Sequence, residues 1–484
     1  MGSHFQAKWT PVRVKKMRSS NKRDASFRSE GSENAIADRY SGQHSSADEC
    51  AVSLFADTTF HFAAHQPEMT ETLINALVLD PDLLAAHALQ GFINVLQGRT
   101  EAALRARDIS GRLDTAIQGS SPTAFEIKLC ESLRLAAGGR WRDAADRLER
   151  ADAAQPDLLS FKLAHALRFM GGDLSGMQRA STNALQQWSA SDPAYGFVLG
   201  CHAFVLGETG NSAAAEDAAR QALAREPEDV WAAHALTHVF ETSGRTHEGI
   251  AWLEEARGCW SHANNFRFHM SWHLALLHLS LGRKAKALEL YDREIYPQPS
   301  SDFRDLANAV SLLWRLRQEG VDVGNRLAAL AEGARQRLGD TNLVFASLHD
   351  LLALLACGDK RGASRLIDHL RRCADGAGDQ SRVARDIGIP LAEALESAQA
   401  SGQISPEFGY LTGRMPQLGG SHAQRDVFLR TLIDFAVDAG AQRLAQKLLA
   451  FRHTIRSRDR FSHAAIARLH QHGAQLDASL SSCH

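Results

Sequence analysis

The chain has little of several things. Its seven cysteines in 484 residues stand alone at positions 50, 130, 201, 259, 357, 373 and 483, and none forms a C-x-x-C. That pattern excludes a disulfide framework and a zinc-finger spacing, and it suits a reducing cytoplasm. Proline is scarce, at 12, so few positions interrupt a helix. Net charge is nearly nil: 54 Lys plus Arg against 56 Asp plus Glu gives −2. A nucleic-acid footprint over the whole chain is thereby excluded as a partner surface. The longest apolar run, near 197–206, is too short for a bilayer and carries His202, so no membrane partner is expected. No basic start is followed by an apolar stretch, so no secretory signal is expected. Phosphate-binding glycine loops, a G-x-S-x-G elbow and basic stripes interleaved with aromatics are missing too.

Residues 1–46 are Ser-rich and basic, with Lys8, Arg13, Lys15, Lys16, Arg18, Lys22, Arg23 and Arg28. They show little apolar periodicity and read as a disordered tail, with an arm for an acidic partner as the sharper alternative. From residue 47 onward helix-period apolar spacing recurs, and alternating strand-like segments are nearly absent. A turn glycine returns at Gly98, Gly139, Gly172, Gly210, Gly244, Gly282, Gly320 and Gly358, at intervals of 33–41 residues. Each can take the left-handed cap that ends a first helix. An Ala followed five residues later by Pro returns as Ala76/Pro81, Ala151/Pro156 and Ala222/Pro227. This is a repeat of helix pairs, in which neighbours stack because one pair cannot bury its apolar face alone.

Region 47–373 holds these repeats. Region 374–420 breaks the pattern with eight glycines and Pro416, and reads as an irregular segment folding over the concave side. Region 421–484 reads as a terminal helix pair, roughly 422–439 and 441–455, with a tail. Ser421 and Gln424 have capping-box spacing.

The pattern resembles the tetratricopeptide repeat superfamily. The strings HALTHVFETSGRTHEGIAWLE (234–254), FHMSWHLALLHLSLG (268–282), ALELYDREI (287–295), SLLWRL (311–316) and GGSHAQRD (419–426) resemble the tetratricopeptide repeat protein 38 family in particular. The resemblance implies an all-α, right-handed α-solenoid of antiparallel helix pairs and brings no settled activity. It also implies a concave face presented 13, 10, 6, 3 and 2 residues before each turn glycine.

Twenty-two histidines are the chain's excess. Counted back from Gly244, the concave register holds Trp231, His234, His238 and Glu241. Counted back from Gly282, it holds His269 and Trp272, and from Gly320, Trp314 and Arg317. His234/His238 and His269/His273 are i,i+4 pairs, stacked on one helix face. Two such pairs on neighbouring helices can offer three or four imidazoles to a divalent metal, Zn or Fe. If the protein is an enzyme, His234, His238, Glu241 and His273 are the catalytic candidates, with Glu241 as ligand, orienter or general base. Trp231, His269, Trp272, Trp314, Arg317, His422 and Arg425 are the ligand-binding candidates, the last two favouring an anion at a helix start. Helix-seam packing of the same histidines, and a pocket without metal, stay open. The expected function is binding of a small molecule or short peptide in a His/Trp-lined concave pocket. A metal-dependent enzyme and a scaffold for a partner protein are the alternatives.

Overall fold

The computed structural model describes residues 39–150, 156–457 and 459–481, with side chains to residue 471. Among them there is no strand. The fold is an all-α solenoid of antiparallel, tetratricopeptide-like helix pairs. The eight turn glycines all adopt positive φ, between +64° and +87°, a region that L side chains enter only with strain. The repeat spacing in the sequence therefore marks the turns themselves.

First and second helices differ in how they are buried. The second helix Ser212–Arg225 buries only Ala215, Ala218, Ala219 and Ala222, one apolar stripe. The first helix Val230–Ser243 buries every residue from Val230 to Glu241. Phe266–Ser280 does the same from His269 to Leu279, and Phe303–Gln318 from Asp305 to Leu316. A helix buried on all sides is enclosed on all sides. Second helices cover the outer face of these three, and the C-terminal helices cover much of the inner one.

The covering is specific. The Arg315 guanidinium donates to the Ala423 carbonyl at 2.8 Å, Gln318 to Thr431 at 3.5 Å, and Arg430 to Glu319 at 3.2 Å. The Ser457 amide donates to the Thr242 carbonyl at 2.8 Å. The helix His422–Asp438 thus lies over the C-terminal halves of the first helices. Their N-terminal halves face a cavity instead.

Two stretches differ from the reading of the sequence. Region 374–420 is mostly helical: Asp379–Val383, a π turn at Ala384–Gly388, Ile389–Ser401 and a 3-10 segment Pro406–Leu418. Gly402 and Gly419 cap helix ends, while Gly388, Gly409 and Gly413 lie inside helical turns. Beyond the pair His422–Asp438 and Gln442–Ile455, a third helix runs Arg460–Ser481. Most of the basic segment, 1–38, lies outside the described residues. Residues 39–46 are docked, with Arg39 donating to Asp192 at 3.0 Å and the Ser45 amide to Glu126 at 3.1 Å. The Lys and Arg residues that define the tail all precede them.

Candidate metal and ligand site

The site starts with one helix. Asp229 caps Val230–Ser243 by accepting from the Trp231 amide at 3.0 Å. One turn on, His234 points inward, and His238 meets it edge to face with ring centroids 4.4 Å apart. The neighbouring helix Phe266–Ser280 supplies His269 and His273, whose ring centroids are 4.7 Å apart. Across the seam, His234 is 4.9 Å from His269 and 5.1 Å from His273, centroid to centroid. All four side chains are buried.

Burial decides their charge. It pushes His238, His269 and His273 each down to about 3, and His234 lies well below its ordinary value, the neighbouring imidazoles adding to the effect. At neutral pH all four rings are uncharged, so each carries one N–H and one lone pair. The surroundings then assign the protons. His273 Nδ1–H donates to Glu241 Oε2 at 3.0 Å, leaving Nε2 buried without a partner. His269 Nδ1–H donates to Asn308 Oδ1 at 2.9 Å, leaving its Nε2 as a lone pair. His234 Nε2 faces two nitrogens at once, His238 Nε2 at 2.9 Å and His269 Nε2 at 3.1 Å. One ring nitrogen directs one proton or one lone pair along one line. His234 Nε2 therefore satisfies one of these contacts well and leaves the other as nitrogen against nitrogen.

Three of these rings could hold a metal ion. His234, His269 and His273 each offer a ligand atom, and these atoms lie within 4.8 Å of one another. Nitrogens bound at about 2.0–2.1 Å to one tetrahedral zinc stand roughly 3.3–3.4 Å apart, close to the 3.1 Å between His234 and His269. Glu241 and Asn308 hold the two partner rings in the tautomer that frees Nε2, an arrangement typical of metal-binding histidines. His238 lies outside the three-residue set. Its Nδ1 is 3.7 Å from Glu208 Oε1, and its Nε2 faces the same His234 nitrogen.

A cavity of about 410 Å³ opens on one side of this cluster. His234, His269 and Trp231 line it, along with Phe169, Phe266 and Phe345. The His65 ring stacks 4.6 Å from Phe266, and His65 is the one described non-glycine residue with positive φ. The rim carries Arg99 and Arg304.

The other sequence candidates fall elsewhere. Trp272 is fully buried, donates its indole N–H to Ser311 at 3.0 Å and stacks beneath His269. Trp314 is buried and does not line the cavity, while Arg317 is exposed and donates to the Ala356 carbonyl at 2.7 Å. Both sit in the C-terminal half of their helix, so here the concave register reaches the cavity only near helix N-termini. His422 and Arg425 turn inward but serve Glu208. Arg425 donates to it at 3.2 Å, and the His422 amide donates at 2.9 Å. The anion they hold is the protein's own. Glu241 does not line the cavity. It accepts from His273 and, at 3.2 Å, from Arg456, so it orients an imidazole rather than meeting a ligand as a base.

The histidine seam also has contributors without a signal in the spacing. Asn308 falls one residue from the concave register. Glu208, two residues before Gly210, lies in that register as the spacing predicts, but its pairing with the distant Arg425 has no local signal. Lys162, Ala166, Phe169 and Met170 line the cavity, at 10, 6, 3 and 2 residues before Gly172. The same count that found His234 finds them.

No family model matches the chain. The solved structures similar to it include that of yeast Tom70, at 12% identity over 89% of this chain and 90% of that one, with a TM-score of 0.35. The tetratricopeptide repeat domain of P58(IPK) matches at 14% identity over 73% and 90%, with a TM-score of 0.21. The Naa15/Naa10 complex bound to HypK matches at 13% identity over 85% of this chain and 64% of that one, with a TM-score of 0.22. No helix among the described residues is long and apolar enough to cross a membrane.

Proposed function

We propose that this chain is a metal-dependent small-molecule-binding protein. A divalent ion, Zn or Fe, is held by His234, His269 and His273 at the floor of the cavity. The observation that carries this is the His234 Nε2 contact with two other ring nitrogens, in a set of rings that burial keeps neutral. Neutral imidazole is the ligating form. Three imidazoles leave coordination positions free, the pattern of catalytic rather than structural zinc. Such an ion supplies Lewis acidity to whatever oxygen reaches it from the cavity. Enzymatic action on the bound molecule is thus the extension of this reading, with His238 and Glu241 as positioning residues.

A scaffold function has less support, because the C-terminal helices take up much of the inner surface that a partner peptide would use. The tetratricopeptide repeat protein 38 resemblance stays part of the reading and supplies no activity. A cytoplasmic setting rests on the cysteines, which are unpaired among the described residues.

The test is elemental analysis of protein purified without a histidine tag. We expect about one Zn or Fe per chain in the wild type and a loss of at least tenfold in affinity in His269→Ala. Wild-type protein that binds neither ion tightly contradicts the proposal.

A further inference from the structure

Beside the histidines, the cavity lining contains a cation with no carboxylate at ion-pair distance. Lys162 comes from the helix Leu158–Met170 and is only 6% exposed. Its ammonium lies 5.7 Å from the Trp231 ring centroid and 6.0 Å from that of Phe197. Its polar contact is the Cys201 sulfur at 3.8 Å, a thiol that burial pushes up to about 12 and so keeps neutral. Asp229 acts on it only from beyond ion-pair distance. That carboxyl is pushed up by burial to about 7 despite Lys162, and one of its oxygens has no partner.

Other buried cations in the described residues have oxygen acceptors. Lys128 donates to Asp157 at 2.8 Å, Arg168 to Glu149 at 2.7 Å, Arg315 to the Ala423 carbonyl at 2.8 Å and Arg452 to Asp426 at 2.7 Å. At the cavity rim, Arg304 pairs with Asp302 at 2.6 Å and Arg99 with Asp340 at 3.4 Å. Lys162 alone faces sulfur and aromatic rings. A buried charge left so is unfavourable for folding. Residues that weaken the fold in a cavity wall are those a ligand completes.

We propose that the cavity binds an amphipathic monocarboxylate, with its carboxylate on Lys162 Nζ and its apolar body against Phe169, Trp231 and Phe266. This deepens the ligand-binding half of the proposed function and does not depend on the metal. One ammonium matches one negative charge, and the aromatic lining matches an apolar body. The volume lies within the roughly 300–1,000 Å³ typical of small-molecule sites. Trp231 borders both Lys162 and His234, whose ring centroid is 5.1 Å from its own. A molecule held by Lys162 therefore lies beside the histidine floor.

The experiment is calorimetric titration of the full chain with 2-naphthylacetate and with its uncharged amide, before and after dialysis against EDTA. We expect the carboxylate to bind at least about tenfold tighter than the amide in both states, as removal of a charged hydrogen bond implies. Lys162→Met abolishes the preference and leaves amide affinity within about twofold, while Lys162→Arg keeps the preference. Lys162→Met is also at least as thermally stable as the wild type, because it removes an unpaired buried charge. Equal binding of the two probes overturns the proposal, as does failure of both to bind. A preference that survives in Lys162→Met but vanishes with EDTA assigns the carboxylate to the metal instead. A protein that binds no metal but keeps the Lys162-dependent preference refutes the metal reading alone.

Discussion

Two buried polar clusters lie back to back in this molecule, joined through Arg456, which reaches both Glu241 and Asp426. Behind the joint, opposite charges pair. Arg452 donates to Asp426 at 2.7 Å and to Asp459 at 2.8 Å, and takes Ser462 as a further acceptor at 2.7 Å. Burial alone would raise Asp426, yet Arg452 and Arg456 hold it well below the usual carboxylate range. In front of the joint, His238, His234 and His269 meet nitrogen to nitrogen, with His273 beside them. The first cluster pairs each carboxylate with a cation and so explains itself as structure, tying the C-terminal helices to the solenoid. The second is as buried and as crowded, and one of its nitrogen–nitrogen contacts stays unmatched. Burial of polar groups therefore does not mark a functional site.

The largest expected effect breaks the first cluster. Arg452→Met leaves Asp426 and Asp459 without their shared cation and should lower unfolding free energy by about 3–5 kcal/mol, measured by urea denaturation. The metal content of the folded fraction should be unchanged. Loss of metal from well-folded Arg452→Met would mean that the two clusters are one functional unit.

The next effect is on the second cluster. Glu241→Gln keeps the shape but no longer demands a proton on His273 Nδ1, so metal affinity should fall about 10–100-fold. Competition with a metal-sensitive dye reads this directly. His273→Ala should bind still more weakly, while His238→Ala, outside the set of three, should lose less than either.

Acid should separate neutral histidines from paired carboxylates. Burial lowers His349 to about 4 and His165 to about 3. Below about pH 6.5 the unfolded chain takes up protons that these folded rings refuse, so stability falls from there toward pH 4. The slope is roughly 1 kcal/mol per pH unit for each histidine, and His349→Leu should flatten it. The carboxylate contribution behaves differently. Asp426 and Asp459 have lowered folded values, so their stabilisation is complete above the ordinary carboxylate range and is lost only below it. Melting temperatures of wild type and His349→Leu across pH 3–8 would show both phases. A flat profile between pH 6.5 and 4 in the wild type would contradict the burial argument.

These differences also say what the sequence could disclose. The helix pairs were legible because each turn needs a left-handed residue, and only glycine supplies it without strain. The i,i+4 histidines were legible because helical geometry brings them to one face. The places of Trp272, Trp314 and Arg317 are not legible, because the concave register gives direction along a helix, not what lies opposite it. His422–Asp438 covers one half of that face, and nothing local in the first helices announces a cover more than a hundred residues away. His422 and Arg425 were legible as inward-facing, but their partner Glu208 lies more than two hundred residues earlier in the chain. Lys162 was within reach: its register matches that of His234, but a lysine without a carboxylate becomes notable only once its neighbours are known.

The most direct test is the X-ray absorption spectrum of metal-loaded, tag-free protein. The account predicts one ion per chain with three imidazole nitrogens, at about 2.0–2.1 Å if the metal is zinc, and imidazole scattering that drops in His269→Ala. A spectrum without imidazole scattering, or one unchanged by His269→Ala, would contradict it.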